Sequence, residues 1–560
     1  MKLTLIHPPF ATLTAVPAGI CLLKSYIETH YPHQVLTMDL NLGMFEWIHN
    51  LPYNQRKTAV QEMGNIEPLT ESDVELQRRV LRTGTYKNFS IEEDVISALS
   101  SQDDFLQEFN NAFQTTVIKL LLDGKIPFGF KVIDFMVDFV LSTAPDVIGI
   151  SVFSNFQFAS TMALASIFRE KFNIPTVLGG PAMLDFDAFE LMTAFPFIQY
   201  IILGEAEESL GTLLDVLSSG QEPHGIPGLV YRGREAKVHS TEAALIGSLK
   251  GLVFPDYSDL PLKQYYNREV TLPVSFSRGC YWKRCAFCAL HHTFRNHYKV
   301  RPYEEVAAEI KYLKEKWNCN LFYFIDLSIS AKHIEYISKK LIDLQLNIQY
   351  CFFSRTTSEY KPELMVQLRE SGCVYILWGI ESGSQEILNS MDKGLHPEKM
   401  RIVLQNSHEA GIKNYIFILL GFPGETETDR LDTSLFIARN YKYIDFVCTS
   451  IFILDQNSKI INQPDKYKIK VGRKLPFITK NGEPLISTHL LDFHPLDASV
   501  KIDLTAYICK YSQLYWGPLY LGPRGGIYYE HLLNFFLDKQ DIPYPVEKMV
   551  EEIKCRKSMK

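Results

Sequence analysis

The sequence predicts an α/β protein of two parallel sheets in tandem, a doubly wound domain and then a partial barrel of βα units. Three observations predict it. Short apolar runs alternate with helix-spaced segments over the first 240 residues. The same rhythm resumes at residue 274 and persists to about residue 452. Glycine- and proline-bearing turns stand at the carboxyl ends of the apolar runs. Parallel strands are buried on both faces and read as unbroken apolar runs.

The first domain is expected over 1–240, with strands at 3–7, 35–40, 146–153, 176–178 and 200–203. Helices are expected at 20–29, at 159–172 and after Gly204-Glu205-Ala206-Glu207-Glu208. Pro8-Pro9 ends the first strand, since proline donates nothing to a ladder. Residues 41–143 are polar, mostly helical and rich in Glu, Asp and Gln. Such a length exceeds any ordinary loop, so an inserted subdomain or lid is expected. A linker follows around 233–260, and the barrel domain spans 241–455. Its strands are expected at 274–277, 321–325, 348–354, 374–380, 415–420 and 446–452, with helices including 304–316 and 362–370. These units suffice for a curved partial barrel and are too few to close an eight-stranded one. Residues 456–560 are irregular and aromatic, suited to capping the barrel mouth. Ligands of parallel sheets sit at the strands' carboxyl ends, where the turn residues cluster.

Of 560 residues, 46% are apolar and 22% charged, and the net charge is −7. No global field favours DNA or anionic lipid, and no nucleic-acid partner is indicated. The apolar part of the first residues is too short for a signal peptide. No run approaches membrane-spanning length; 132–141 is interrupted by Asp134 and Asp138. A cytoplasmic protein is expected. Ten cysteines in such a chain do not imply a disulfide framework. Cys21, Cys319, Cys351, Cys373, Cys448, Cys509 and Cys555 are scattered and read as small core residues.

Cys280, Cys285 and Cys288 differ, lying together in Ser-Arg-Gly-Cys-Tyr-Trp-Lys-Arg-Cys-Ala-Phe-Cys. Three thiolates without a near fourth suit an iron–sulfur cluster with one open iron. A zinc site completed by His291, His292 or His297 is the alternative.

These residues resemble the radical S-adenosylmethionine (SAM) superfamily from about residue 274 to 453. Ser-Arg-Gly before Cys280 and Phe287 before Cys288 match its cysteine loop, and Tyr298-Lys299-Val300-Arg301-Pro302 with Glu305 and Glu309 resembles the opening of its first helix. Phe322-Tyr323-Phe324-Ile325-Asp326 resembles the second strand, Gly379-Ile380-Glu381-Ser382-Gly383-Ser384 the fourth-strand motif and Leu420-Gly421-Phe422-Pro423-Gly424-Glu425-Thr426 the fifth-strand turn. The resemblance implies a 4Fe-4S cluster on Cys280, Cys285 and Cys288, and SAM near Phe287, Asp326, Arg355, Gly379, Glu381, Ser382 and Gly421. One departure stands out: the common spacing is Cys-x3-Cys-x2-Cys, and here four residues separate the first pair.

The preceding domain resembles the Rossmann-like cobalamin-binding domain of the cobalamin-dependent subfamily. Pro8 and Pro9, Gly19 of Pro17-Ala18-Gly19, Ser151, Ser154, Gly179, Gly180, Gly204 and Glu205 carry that likeness. The resemblance implies cobalamin there, although the Asp-x-His-x-x-Gly motif of other cobalamin domains is absent and His7 is more simply a satisfied strand-end residue. A methyltransferase is implied, acting on an unactivated carbon through a 5′-deoxyadenosyl radical and methylcobalamin. A one-electron donor such as flavodoxin or ferredoxin, and a small-molecule or peptide substrate, are implied with it. The rivals are cyclisation or rearrangement, a radical SAM enzyme whose first domain only shapes the pocket, and a non-enzymatic corrinoid- or metal-binding regulator.

Overall fold

The computed structural model describes all residues except 80–90, 234, 236, 268, 290–296 and 496–560. The expected aromatic cap beyond 495 lies outside the described residues. Two compact units form: Met1–Val270 with Pro476–Thr488, and Thr271–Leu475 with the described residues from His489.

In the first unit, β1 (Lys2–His7), β2 (Gln34–Asp39), β3 (Val147–Ser151), β4 (Thr176–Gly179), β5 (Tyr200–Ile202), β6 (Leu229–Arg232) and β7 (Val238–Ser240) form one sheet. Its order is β2-β1-β3-β4-β5-β6-β7. The first five strands run parallel. Strands β6 and β7 extend the edge antiparallel, β7 falling where the sequence suggested the start of a linker. Both are too short to show a period. Because β1 pairs with both β2 and β3, the strand order reverses there, which makes their carboxyl ends the switch point where such sheets bind ligands.

The helices are α1 (Ala18–His30), α2 (Leu40–Asn50), α3 (Tyr53–Gln61), α4 (Glu71–Gln77), α5 (Ile91–Leu122), α6 (Lys131–Leu141), α7 (Phe158–Glu170), α8 (Ala188–Ala194) and α9 (Glu207–Ser218). The insertion is α2 to α6. Asp39 caps α2 by accepting from Leu42 N at 3.0 Å, and Thr70 with Asp73 forms a capping box on α4. Polar in composition, the insertion still has a core: Phe109 and Phe113 pack edge-to-face on Phe10 at 5.3 and 5.4 Å. Arg56, fully buried, donates to the carbonyls of Ile48, Leu51 and Leu69 and so ties α2 and α3 to the approach to α4.

In the second unit, β8 (Thr271–Val274) precedes an antiparallel pair, β9 (Ser277–Arg278) and β10 (Lys299–Val300). Then come β11 (Leu321–Phe324), β12 (Gln349–Ser354), β13 (Cys373–Glu381), β14 (Lys413–Leu420) and β15 (Phe446–Ile451). The six-stranded sheet has order β15-β14-β13-β12-β11-β8, all parallel. Sequence neighbours are sheet neighbours throughout, which is the arrangement of an unclosed βα barrel. The first strand lies ahead of the expected 274–277, because Phe276 N and Ser277 N donate to the Asp326 side chain instead of the ladder. Helices α10 (Tyr303–Trp317), α11 (Ala331–Asp343), α12 (Pro362–Glu370), α13 (Gln385–Ser390), α14 (Pro397–Glu409) and α15 (Glu427–Asn440) connect the strands. Finally β16 (Leu454–Asp455), β17 (Ile469–Lys480) and β18 (Glu483–Pro495) form a small sheet. Strand β17 is mostly exposed, so it offers no apolar run to read. Among the described residues no helix is long and apolar enough to cross a membrane.

Candidate functional site

The second unit builds its site at the loop after β9. Cys280, Cys285 and Cys288 are all half-buried there. Asp326, at the end of β11, fixes the approach to the loop: its carboxylate accepts from Phe276 N (3.0 Å), Ser277 N (2.5 Å) and Ser277 Oγ (2.5 Å). Burial pushes its pKa up to about 6 against those hydrogen bonds. Gly279 has φ +89°, and a Cβ there would meet the His297 carbonyl at 2.2 Å, so only glycine lets the two sides of the loop touch. Ala286, between the second and third cysteines, is buried among Met391, Phe422 and Phe452.

Opposite the cysteines, Glu381 of the fourth-strand motif forms an ion pair with a lysine that no motif announced. Lys393 Nζ stands 2.7 Å from Glu381 Oε1, and both side chains are almost wholly buried. Burial pulls the Lys393 ammonium down, but Glu381 and then Cys285 more than reverse this, leaving its pKa raised. Burial pushes the Cys285 thiol up, with Lys393 opposing it. Lys393 Nζ also lies 6.0 Å from the Phe287 ring centroid. Glu381 has φ +67° at a register shift in the β13–β14 pairing, which turns its carboxylate toward Lys393. A Cβ on Gly379 would come within 3.0 Å of both charged groups, so that glycine makes room for the pair.

The other expected residues are committed to the scaffold. Ser382 is fully buried, with its hydroxyl 3.1 Å from that of Thr433. Ser384 Oγ donates to Asp429 at 2.6 Å. Gly421 N donates to Glu425 Oε2 at 2.7 Å, closing the turn after β14. The Arg355 guanidinium is buried 3.7 Å from the Trp282 ring and donates to the Lys393 carbonyl.

The first unit sets Pro8, Pro9, Ser151 and Ser154 at the carboxyl ends of the neighbouring strands β1 and β3, with Gly179 and Gly180 at the end of β4, while Gly204 and Glu205 follow β5 farther along the sheet. Gln157 organises both sides of the β1–β3 switch point. Its Nε2 donates to the Pro8 carbonyl (2.5 Å), and its Oε1 accepts from Phe153 N (2.6 Å) and Ser154 N (3.2 Å). The Ser160 hydroxyl donates to the Pro9 carbonyl. His7, buried beside Gln157 and Asp39, has a pKa lowered by burial, with Asp39 opposing. Gly180 has φ +98°, and a Cβ there would lie 2.4 Å from the Val152 carbonyl. Gly204, at φ +96°, would meet Ala244 O at 2.3 Å, and Glu205 Oε2 accepts from Ile246 N at 2.7 Å. The space about Gly19 is open. Within this rigid frame Phe153 and Phe156 are 68% and 62% exposed. Two ordered aromatic rings facing solvent beside a switch point are a ready surface for a flat ligand, and sequence reasoning missed them.

Thiolates are apt donors for an iron–sulfur cluster, and the Glu381–Lys393 pair beside Gly379 has complementary charges for an amino-acid zwitterion, so the donor chemistry suits both groups, although the three thiols are not drawn together as a ligand set in this structure. The switch point, with its glycines and exposed rings, fits a broad amphipathic ring system. His291 and His292 of the zinc alternative lie outside the described residues. Among the described residues, no group of three or more His, Cys, Asp or Glu side chains is arranged to hold a metal ion.

Residues 274–437 match the family model of the radical SAM superfamily, so the second unit carries a radical SAM domain. Two solved structures share the fold. It matches TsrM from Kitasatospora setae, a radical SAM methyltransferase, at TM-score 0.59 and 15% identity, covering 91% of this chain and 87% of that one. It also matches OxsB, a cobalamin-dependent SAM radical enzyme, at TM-score 0.60 and 16% identity, covering 89% and 64%. An uncharacterized methyltransferase of Pyrococcus horikoshii is 28% identical over 51% of this chain and 62% of its own length. Cytidylyl-2-hydroxyethylphosphonate methyltransferase of Streptomyces wedmorensis is 23% identical over 52% and 60%. The chain thus spans about three fifths of the length of these curated relatives.

Proposed function

We propose that this chain is a cobalamin-dependent radical SAM methyltransferase acting on an unactivated carbon of a small molecule. The observation that carries the reading is the cysteine loop facing an enclosed, oppositely charged pair, in a chain whose other unit has a switch point suited to a corrinoid. When bound, the cluster supplies the electron that breaks the SAM sulfonium, and the corrinoid supplies the methyl group. Cys280, Cys285 and Cys288 hold the cluster. Lys393 matches the SAM carboxylate, Glu381 its ammonium or ribose hydroxyls, and Phe287 borders the same space. Asp326 holds the loop's approach, and Arg355 and Ser382 hold the elements that carry Lys393 and Glu381. Pro8, Pro9, Gly19, Ser151, Ser154, Phe153, Phe156, Gly179 and Gly180 line the corrinoid site, and Gly204 with Glu205 secures its far side. A low-potential one-electron donor of the flavodoxin or ferredoxin class, in the cytoplasm, completes the system.

Anaerobic reconstitution with iron, sulfide and hydroxocobalamin tests this. The expected protein has cluster absorbance and retained corrinoid, and it releases 5′-deoxyadenosine from SAM when reduced. A protein that binds only zinc at the loop and no corrinoid would overturn it.

A further inference from the structure

The cysteine loop is one residue longer than the common spacing, and the extra length has a structural use. Helix α13 ends at Ser390, and the carbonyls just beyond a helix end lack intrahelical donors. Here three successive carbonyls are each met from outside the helix. Ala286 N donates to Met391 O at 2.8 Å. Trp282 Nε1 donates to Asp392 O at 2.9 Å. The Arg355 guanidinium donates to Lys393 O. Arg284 adds two bonds to the Asp392 carboxylate, at 3.1 and 2.8 Å. Trp282 and Arg284 both reach Asp392 because Lys283 between them turns through a left-handed conformation, φ +53°. Its carbonyl is held by Lys459 Nζ at 2.6 Å.

The Trp282 ring is the centre of this clasp. The Arg355 guanidinium carbon lies 3.7 Å from its centroid. On the turn, Gly394 at φ +65° leaves no room between them: a Cβ would sit 2.4 Å from the Trp282 ring and 3.5 Å from Arg355. Lys393 projects from this clasped turn to its ion pair with Glu381. A lysine side chain is long and rotamer-rich, so holding its ammonium at one point requires a fixed backbone beneath it.

We propose that Trp282, stacked on Arg355 and bonded to Asp392, is a positioning residue that sets Lys393 for the carboxylate of SAM, with the lengthened cysteine loop as the device that brings it there. The inference rests on the reading of the loop as a SAM-binding cluster site. It assigns the cysteine loop a second task, the capping of α13, alongside metal binding.

The full chain, reconstituted anaerobically, is titrated with SAM while the electron paramagnetic resonance spectrum of the reduced cluster is followed. Trp282→Ala should retain iron and sulfide but bind SAM about tenfold or more weakly, whereas Trp282→Phe, which keeps a ring under Arg355, should stay within about threefold of wild type. Gly394→Ala, whose Cβ would crowd the edge of the same ring, should behave as Trp282→Ala. Wild-type SAM affinity and spectrum in Trp282→Ala would overturn the inference. So would loss of the cluster itself from both Trp282→Ala and Gly394→Ala, since the stack would then serve only to retain iron. A wild-type protein that takes up a cluster but does not respond to SAM would overturn the underlying reading and this inference with it.

Discussion

Glu425 shows how one buried side chain converts turn geometry into a pH signature. Its Oε2 accepts from Gly421 N, Arg430 lies 3.6 Å away, and Oε1 has no hydrogen-bond partner among the described residues. Burial dominates these contacts and pushes its pKa from 4.5 up to about 7. The folded state therefore holds this proton more tightly than the unfolded chain does. The stabilisation is full below about pH 4.5 and is lost as pH rises through 7. Glu425→Gln should remove that dependence. Relative to wild type, the variant should gain about 2–3 kcal/mol between pH 4.5 and 8, read by chemical denaturation at each pH. An unchanged difference would show that the carboxyl titrates normally. Other site residues differ in how far the sequence reveals them. The three cysteines and Glu381 stand in recognisable motifs. Lys393 is one lysine in a charged turn, and Trp282 and Gln157 are lone residues whose partners are distant in sequence, so no local pattern marks them.

Among the elements, the parallel strands were legible because burial on both faces leaves unbroken apolar runs, as in β13, where Cys373–Trp378 is wholly buried. Strands β7 and β17 were not, being largely exposed, and the buried β6 is too short for a run to stand out. Glycines at the strand ends divide in the same way. Sequence alone treats Gly19 and Gly180 alike, yet their surroundings are opposite. Gly180→Ala forces both a left-handed side chain and a clash with Val152, so it should destabilise the first unit by about 2–4 kcal/mol. Gly19→Ala, in the first turn of α1 with open space around it, should be neutral or stabilising by up to about 1 kcal/mol. Thermal denaturation of the two variants separates these outcomes. The turn after β3 carries a third expectation. Phe153→Ala with Phe156→Ala removes only exposed rings, so melting should be nearly unchanged, within about 0.5 kcal/mol, while retention of hydroxocobalamin through gel filtration falls. Equal retention would remove the two rings from the corrinoid site.

At the scale of the whole molecule, the residues proposed for the corrinoid and those proposed for the cluster fall in separate compact units. Every contact described for the switch point, from Gln157 to Gly180, lies within Met1–Val270, and every contact of the cysteine loop lies within Thr271–Leu475. Replacing Cys280, Cys285 and Cys288 together by alanine removes three half-buried thiols from a loop still anchored by Ala286, Trp282 and Arg284. The triple variant should therefore fold, bind hydroxocobalamin with wild-type affinity and release no 5′-deoxyadenosine from SAM. Iron content and corrinoid content, measured on the same preparation, give the two readings independently. If corrinoid binding disappears together with the cluster, the two sites depend on each other, and their assignment to separate units fails.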